Sequence, residues 1–202
     1  MQTKQIDLSR YGGFYTLGWF LRHEKSDFLK RMKRNAPITA TAGSLTAWAN
    51  TFDVLQETVA QLPECYHDLH IVFEYSLPKY RPKKDGAFSD IAVFADAVIV
   101  SRDTVAVLEF KQMSDPYIGH VRQTRKYRRR FQAYHESSRG MNKRALLVLT
   151  KGQNISQNFY HVHCCSADNL AQSIVEALGD SPRRHADIKS WCNSPFTVVP
   201  KS

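Results

Sequence analysis

The sequence predicts an α/β domain, a central mixed four- to five-stranded sheet flanked by helices. Three observations carry this. β-type runs of period two crowd between His70 and Gln112. Stretches with helical apolar spacing stand before and after them, and a short apolar run, Ala145-Leu146-Leu147-Val148-Leu149, follows the second helical stretch. An order of helix, three strands, helix and strand buries its apolar faces as a sheet covered by helices.

The elements follow in chain order. Phe14 to Met32 reads as one helix carrying Leu17, Phe20, Leu21, Phe28 and Leu29. A second helix runs from about Ser44 to Leu62, with Trp48, Phe52, Leu55, Val59 and Leu62 at helical spacing, and Pro63 ends it. His70 to Tyr75 is the first strand. Ile91 to Val100 is the next, with a hairpin partner after Ser101-Arg102-Asp103. The loop Pro78 to Phe88 is rich in Lys, Arg, Pro and Gly, which predicts an exposed connection. Asp115-Pro116 marks a helix entry, and that helix reaches about Glu136 before Arg139-Gly140 stops it. Ala145 to Leu149 is a buried strand bounded by Gly152, Asp168 to Leu178 a helix, and Asp187 to Trp191 a short one. The 202 residues suit one domain, with 1–43 as an N-terminal helical extension, 44–150 as the core and 151–202 as a helical and strand appendage.

Composition narrows the function classes. No apolar run approaches a membrane span and the start MQTKQIDLSR lacks a signal-peptide core, so the expected place is the cytoplasm. Cys65, Cys164, Cys165 and Cys192 lack framework spacing, which predicts free thiols. The net charge of +9 favours polyanionic partners. That charge concentrates between His120 and Arg130, where six Lys and Arg residues interleave with Tyr127 and are followed by Phe131 and Tyr134. Such a run fits a solvated helix face or a phosphate-tracking surface.

The chemistry centres on VAVLEFKQ, Val105 to Gln112. Strand alternation puts Val105, Val107, Glu109 and Lys111 on one face and Ala106, Leu108 and Phe110 on the other. Burying that carboxylate or ammonium alone would be costly, so a partner or a cation is expected. A surface ion pair at a strand end also fits Glu-x-Lys by itself. Asp187-Ile188-Lys189 lies in a polar, helix-like stretch and is a decoy. His161-x-His163-Cys164-Cys165 lacks a matching second pair of ligands and fits zinc poorly. Glu57 falls opposite the apolar stripe of its helix and is expected in solvent.

On Asp90, Glu109 and Lys111 the chain resembles the PD-(D/E)xK nuclease superfamily, with Ser89 where the family often has Pro. Gln123 and Tyr127 resemble the Gln-x-x-x-Tyr motif of its RecB-like branch, and at i, i+4 they share a helix face. The early aromatic run, Trp48, Phe73 to Pro78 and the closing Trp191 to Pro200 are similar to nuclease domains that precede a P-loop helicase in bacterial fusion proteins. The chain itself carries no Gly-x-x-x-x-Gly-Lys-Ser/Thr sequence. The resemblance implies a restriction-endonuclease-like core and a Mg²⁺- or Mn²⁺-dependent nuclease, with DNA as the favoured substrate. It implies a role in defence or DNA processing beside a helicase in cis or in trans. Asp90, Glu109 and the Phe110 carbonyl would hold the cation, with Glu74 as an outer ligand or an ion-pair partner of an arginine such as Arg81. Lys111 would orient or deprotonate the attacking water. Gln123 and Tyr127 would hold the lysine or a phosphate, and Arg122, Arg125, Lys126 and Arg129 would contact phosphates without reading bases. The rival expectation is a catalytically silent nucleic-acid-binding module that loads or regulates a helicase. A scaffold that meets an acidic protein ranks last.

Overall fold

Gly12 and Gly13 redirect the chain before the predicted first helix can start. The computed structural model, which describes residues 11–78 and 92–197, gives Gly13 a φ of 137°. A Cβ on Gly12 would fall 2.7 Å from the Met32 methyl, and the Gly12 amide donates to the Phe73 carbonyl at 2.7 Å. The single helix expected over Phe14 to Met32 is therefore three pieces: strand β1 (Gly13–Thr16), a 3-10 turn (Leu17–Leu21) and helix α1 (Lys25–Asn35). Phe14, Tyr15 and Thr16 favour the pleat that the sheet edge offers. The apolar positions still serve the core: Leu17, Phe20 and Phe28 are fully buried.

Helix α2 (Ala42–Gln61) forms where its stripe predicts it, and Trp48, Phe52, Leu55, Val59 and Leu62 are all buried. Thr41 starts it with a capping box. Its hydroxyl accepts from the Ser44 amide at 3.1 Å, and Ser44 Oγ accepts from the Thr41 amide at 2.7 Å. Strands β2 (His70–Pro78), β3 (Ala92–Val100) and β4 (Thr104–Lys111) make an antiparallel meander. Helix α3 (Ile118–Tyr134) crosses over to β5 (Asn142–Leu149), which runs parallel to β4. It begins later than predicted, at a Tyr117 N-cap without a side-chain bond, because the Asp115 carboxylate instead accepts from Ser114 Oγ at 2.8 Å.

The class is the predicted one, but the sheet is larger than expected, with seven strands among the described residues in the order β1-β2-β3-β4-β5-β7-β6. Besides β1, the added strands are β6 (Ser156–Phe159) and β7 (Val162–Ser166), short segments whose polar residues mask their period. Strands thus come from all three stretches of the chain. Helices α4 (Leu170–Leu178) and α5 (Ile188–Cys192) complete it. Asp187 caps α5 by accepting from the Ser190 amide at 2.9 Å, which gives the decoy Asp-x-Lys a structural job.

Two main cores lie on opposite faces of the sheet. One packs Phe20, Phe28, Phe52, Phe73, Ile99 and Val148 with α1, α2 and α4. The other packs Tyr75, Val98, Val107, Tyr127, Phe131 and Trp191 with α3 and α5. Between β2 and β3 the alternation changes sides midway. Ile71, Phe73, Ala97 and Ile99 face the first core, yet Tyr75, Leu77 and Ala95 face the second. The register resumes unchanged across this point, from Phe73↔Ala97 to Tyr75↔Ala95. The intervening residues, Glu74 and Asp96, absorb the change, and Glu74 does so with a φ of 48°. Two acids therefore sit at one matched irregularity in the sheet. Among the described residues no helix is long and apolar enough to cross a membrane.

Candidate metal centre

The irregularity lies at the level where β4 carries Glu109. Pairing of β3 with β4 stops at Ala97↔Leu108, so the next backbone donor of β4 on that side needs another partner. Asp96 supplies it: the Phe110 amide donates to Asp96 Oδ2 at 2.8 Å. Glu109 and Lys111 point to the same face as predicted, and the Lys111 ammonium donates to Glu109 Oε1 at 2.7 Å. From α3, Gln123 Nε2 donates to the same oxygen at 3.0 Å and to the Tyr127 hydroxyl at 2.7 Å. One turn of helix thus brings both residues of the Gln-x-x-x-Tyr spacing to the strand end. Tyr127 also packs in the Phe131 core, so its ring and its hydroxyl serve separate purposes.

Glu109 is only 1% exposed, and its second oxygen, Oε2, has no hydrogen-bond partner among the described residues. A buried carboxylate oxygen without a donor is destabilising, which marks this position as incomplete. Burial first, and then the Asp96 carboxylate, push the Glu109 carboxyl up to about 8 against the pull of Lys111. Burial likewise raises Asp96, although Lys111 and the Phe110 amide oppose it. Burial alone would lower the Lys111 ammonium, but Asp96, Glu109 and Glu74 outweigh it and hold the group above its usual range. Burial pushes the Tyr127 hydroxyl up to about 12, with Glu109 adding to the effect.

Glu74 approaches from the first-core side. Its Oε1 accepts from the Trp48 indole at 2.7 Å, and burial pushes its carboxyl up to about 7 despite that bond. Glu74, Asp96, Lys111 and Trp48 share the wall of a small cavity of about 120 Å³. The indole is the partner that Glu74 finds here; Arg81 lies outside the described residues. Asp90 and most of the loop from Pro78 to Phe88 also lie outside them. Asp96, not singled out from the sequence, is the β3 acid that meets Glu109 and Lys111.

A divalent cation fits this donor set. Mg²⁺ keeps several waters and needs only one or two protein carboxylates, which Asp96 and Glu109 Oε2 offer. Among the described residues no three His, Cys, Asp or Glu side chains converge as a ready-made cage.

The remaining candidates separate. Arg122, Lys126 and Arg129 are exposed on the outer face of α3, while Arg125 is half-buried. Glu57 is exposed, as expected. Cys164 and Cys165 are both buried but pack into different cores on opposite faces of β7, so the His-x-His-Cys-Cys run forms no zinc cluster. His135, at the C-cap of α3, is fully buried among Tyr75, Phe131 and Trp191.

No family model matches the chain, and no curated protein or solved structure is significantly similar to it. The fold and site define an α/β protein with a carboxylate–lysine centre at the edge of α3.

Proposed function

We propose that the protein is a metal-dependent nuclease that hydrolyses phosphodiester bonds, with DNA the favoured substrate. One observation carries the reading. A buried acid with an unsatisfied oxygen, Glu109, lies with Asp96 and Lys111 at one strand end, beside a helix rich in arginine. In this reading Asp96 takes the role that the resemblance gave to Asp90, and Asp96 and Glu109 hold Mg²⁺ or Mn²⁺. The cation, when bound, neutralises phosphate charge and makes a water easier to deprotonate.

The chain's own groups do the rest. Lys111 donates a hydrogen bond and a positive charge to a phosphate oxygen as negative charge develops there. Gln123 fixes Glu109 Oε1 in place and leaves the other oxygen for the cation. Tyr127 anchors Gln123 in turn. Glu74, held by Trp48, lines the small cavity that Asp96 and Lys111 also line. Arg122, Lys126 and Arg129 hold the backbone of the strand without reading bases.

The test is cleavage of single- and double-stranded DNA and RNA with Mg²⁺, Mn²⁺ or a chelator. Cutting with either ion that stops with the chelator, and that is lost in Asp96→Asn, supports the reading. Binding without cutting under every condition would instead favour the silent nucleic-acid-binding module, a helicase partner included.

A further inference from the structure

The cations on the other flank of α3 have no part at Glu109. Arg128 leans toward the start of β5, where its guanidinium donates to the Lys143 carbonyl at 3.4 Å while its Nε is buried without a partner. Arg144 is exposed beside it, and the side of β5 that faces β7 brings His163 level with Leu146. Arg128, Lys143, Arg144, Asn158, His161 and His163 line a cavity of about 410 Å³. Among the described residues none of its three Lys and Arg side chains has a carboxylate within ion-pair distance. The one acid on its wall, Glu176, is engaged by Gln172 Nε2 at 3.1 Å. Burial, then Arg125, Arg129 and Arg144, hold the Arg128 guanidinium below its usual range. An anion would relieve that mutual repulsion.

The neighbouring hairpin adds a second, independent observation. Tyr160 and His161 connect Phe159 to Val162, and both are left-handed, with φ of 47° and 66°. A tight two-residue hairpin needs that backbone and ordinarily fills it with Asn and Gly. Here two bulky residues occupy it, and Tyr160 is 65% exposed. Backbone strain that presents an aromatic ring to solvent beside a cationic cavity is a feature to be explained by a ligand.

We propose that this cavity is a second phosphate site, taking the backbone of a single-stranded nucleic acid with a base stacked on Tyr160. Guanidinium groups match phosphate oxygens in pairs, and a base stacks on an aromatic ring regardless of its identity. The site shares a polyanionic ligand with the proposed nuclease reading but none of its residues, so either can fail alone.

The experiment is binding of a labelled single strand to the full chain in chelator, where cutting does not enter. Arg144→Glu is expected to weaken binding about tenfold and to reduce the slope of log K against log salt by about 0.7. Tyr160→Gly relieves the left-handed strain, so it folds at least as well as the parent, yet it is expected to bind roughly tenfold more weakly. Parent-like binding by both variants overturns the proposal. So does a response of the His161 and His163 resonances to inorganic phosphate but not to the strand, which would assign a free-anion site. Binding of polyglutamate in place of the strand overturns it in favour of an acidic protein partner.

Discussion

Two buried polar clusters lie on the α3 side of the sheet, and only one of them is complete. Around His135 every donor has an acceptor. The Trp191 indole donates to Ser138 Oγ at 3.1 Å, and Ser138 lies 2.6 Å from His135 Nδ1. His135 Nε2 is 3.0 Å from the Tyr75 hydroxyl, which donates to the Cys192 carbonyl at 3.0 Å. The chain runs in one direction only if the imidazole is neutral with its proton on Nε2, a tautomer assigned by these partners. Burial accordingly pushes His135 down to about 3. Around Glu109 the arrangement is the reverse. Asp96 and Glu109 meet one ammonium, and one carboxylate oxygen is left over. A saturated network specifies a core; an unsaturated one at the same depth leaves room for a visitor.

The sharpest way to break this contrast is to remove the acids. Asp96→Asn or Glu109→Gln should lower cutting by about a thousandfold, measured as a single-turnover rate. Asp90→Asn should cut at close to the parent rate; a loss there as large as that of Asp96→Asn would return the role to Asp90. Next in size, His135→Ala should cost about 3 kcal/mol in urea unfolding, since it opens a cavity and strands two hydroxyls. Glu109→Gln should unfold no more easily than the parent in chelator, because a neutral amide needs no counter-charge. If both variants lose equal stability, the two clusters do not differ as described.

Adding Mg²⁺ or Mn²⁺ at about 100 times its Kd should stabilise the parent by about 2.7 kcal/mol, seen as a rise in Tm. Glu109→Gln should lose that rise. The most gradual effect is in pH. His135 has a folded pKa of about 3, below its unfolded value of 6.5. The unfolded chain therefore binds more protons between those limits, and stability falls as pH drops through that window, by at most about 1.4 kcal/mol per pH unit for one group. Glu109, at about 8 when folded against 4.5 as a free carboxyl, works in the other sense. Without a cation its share of stability is lost as pH rises from 4.5 toward 8. Urea unfolding across pH in chelator should show His135→Gln flattening the acid limb and Glu109→Gln flattening the alkaline one.

Much of this was legible in the sequence. The α2 stripe, the β2–β3–β4 meander and the pairing of Glu109 with Lys111 follow from periods of 3.6 and 2. Gln123 reaches Glu109 with Tyr127 bonded behind it because i, i+4 is one helical turn. Asp96 was missed although a signal existed. Counting back from the Ser101–Thr104 turn places Asp96 across from Glu109, whereas Asp90 is six residues earlier in the chain. Resemblance to a short motif drew attention to Asp90, which lies outside the described residues, and away from the Asp96 that the register sets beside Glu109. The N-terminal strand was hidden because aromatic residues fit helical spacing as well as a pleat, and two glycines decided between them. The edge strand β6 and its neighbour β7 were hidden by their brevity and by His, Asn and Gln among their residues.

The side-switch at Glu74 and Asp96 has a consequence for how these two strands can change. Deleting one residue from either strand alone would turn every later side chain on it inside out, while the neighbour stayed as it was. Length changes here are tolerable only as compensating pairs, one in each strand, and any such pair would also shift the acids relative to Lys111. The geometry thus ties the spelling of two distant stretches of chain together.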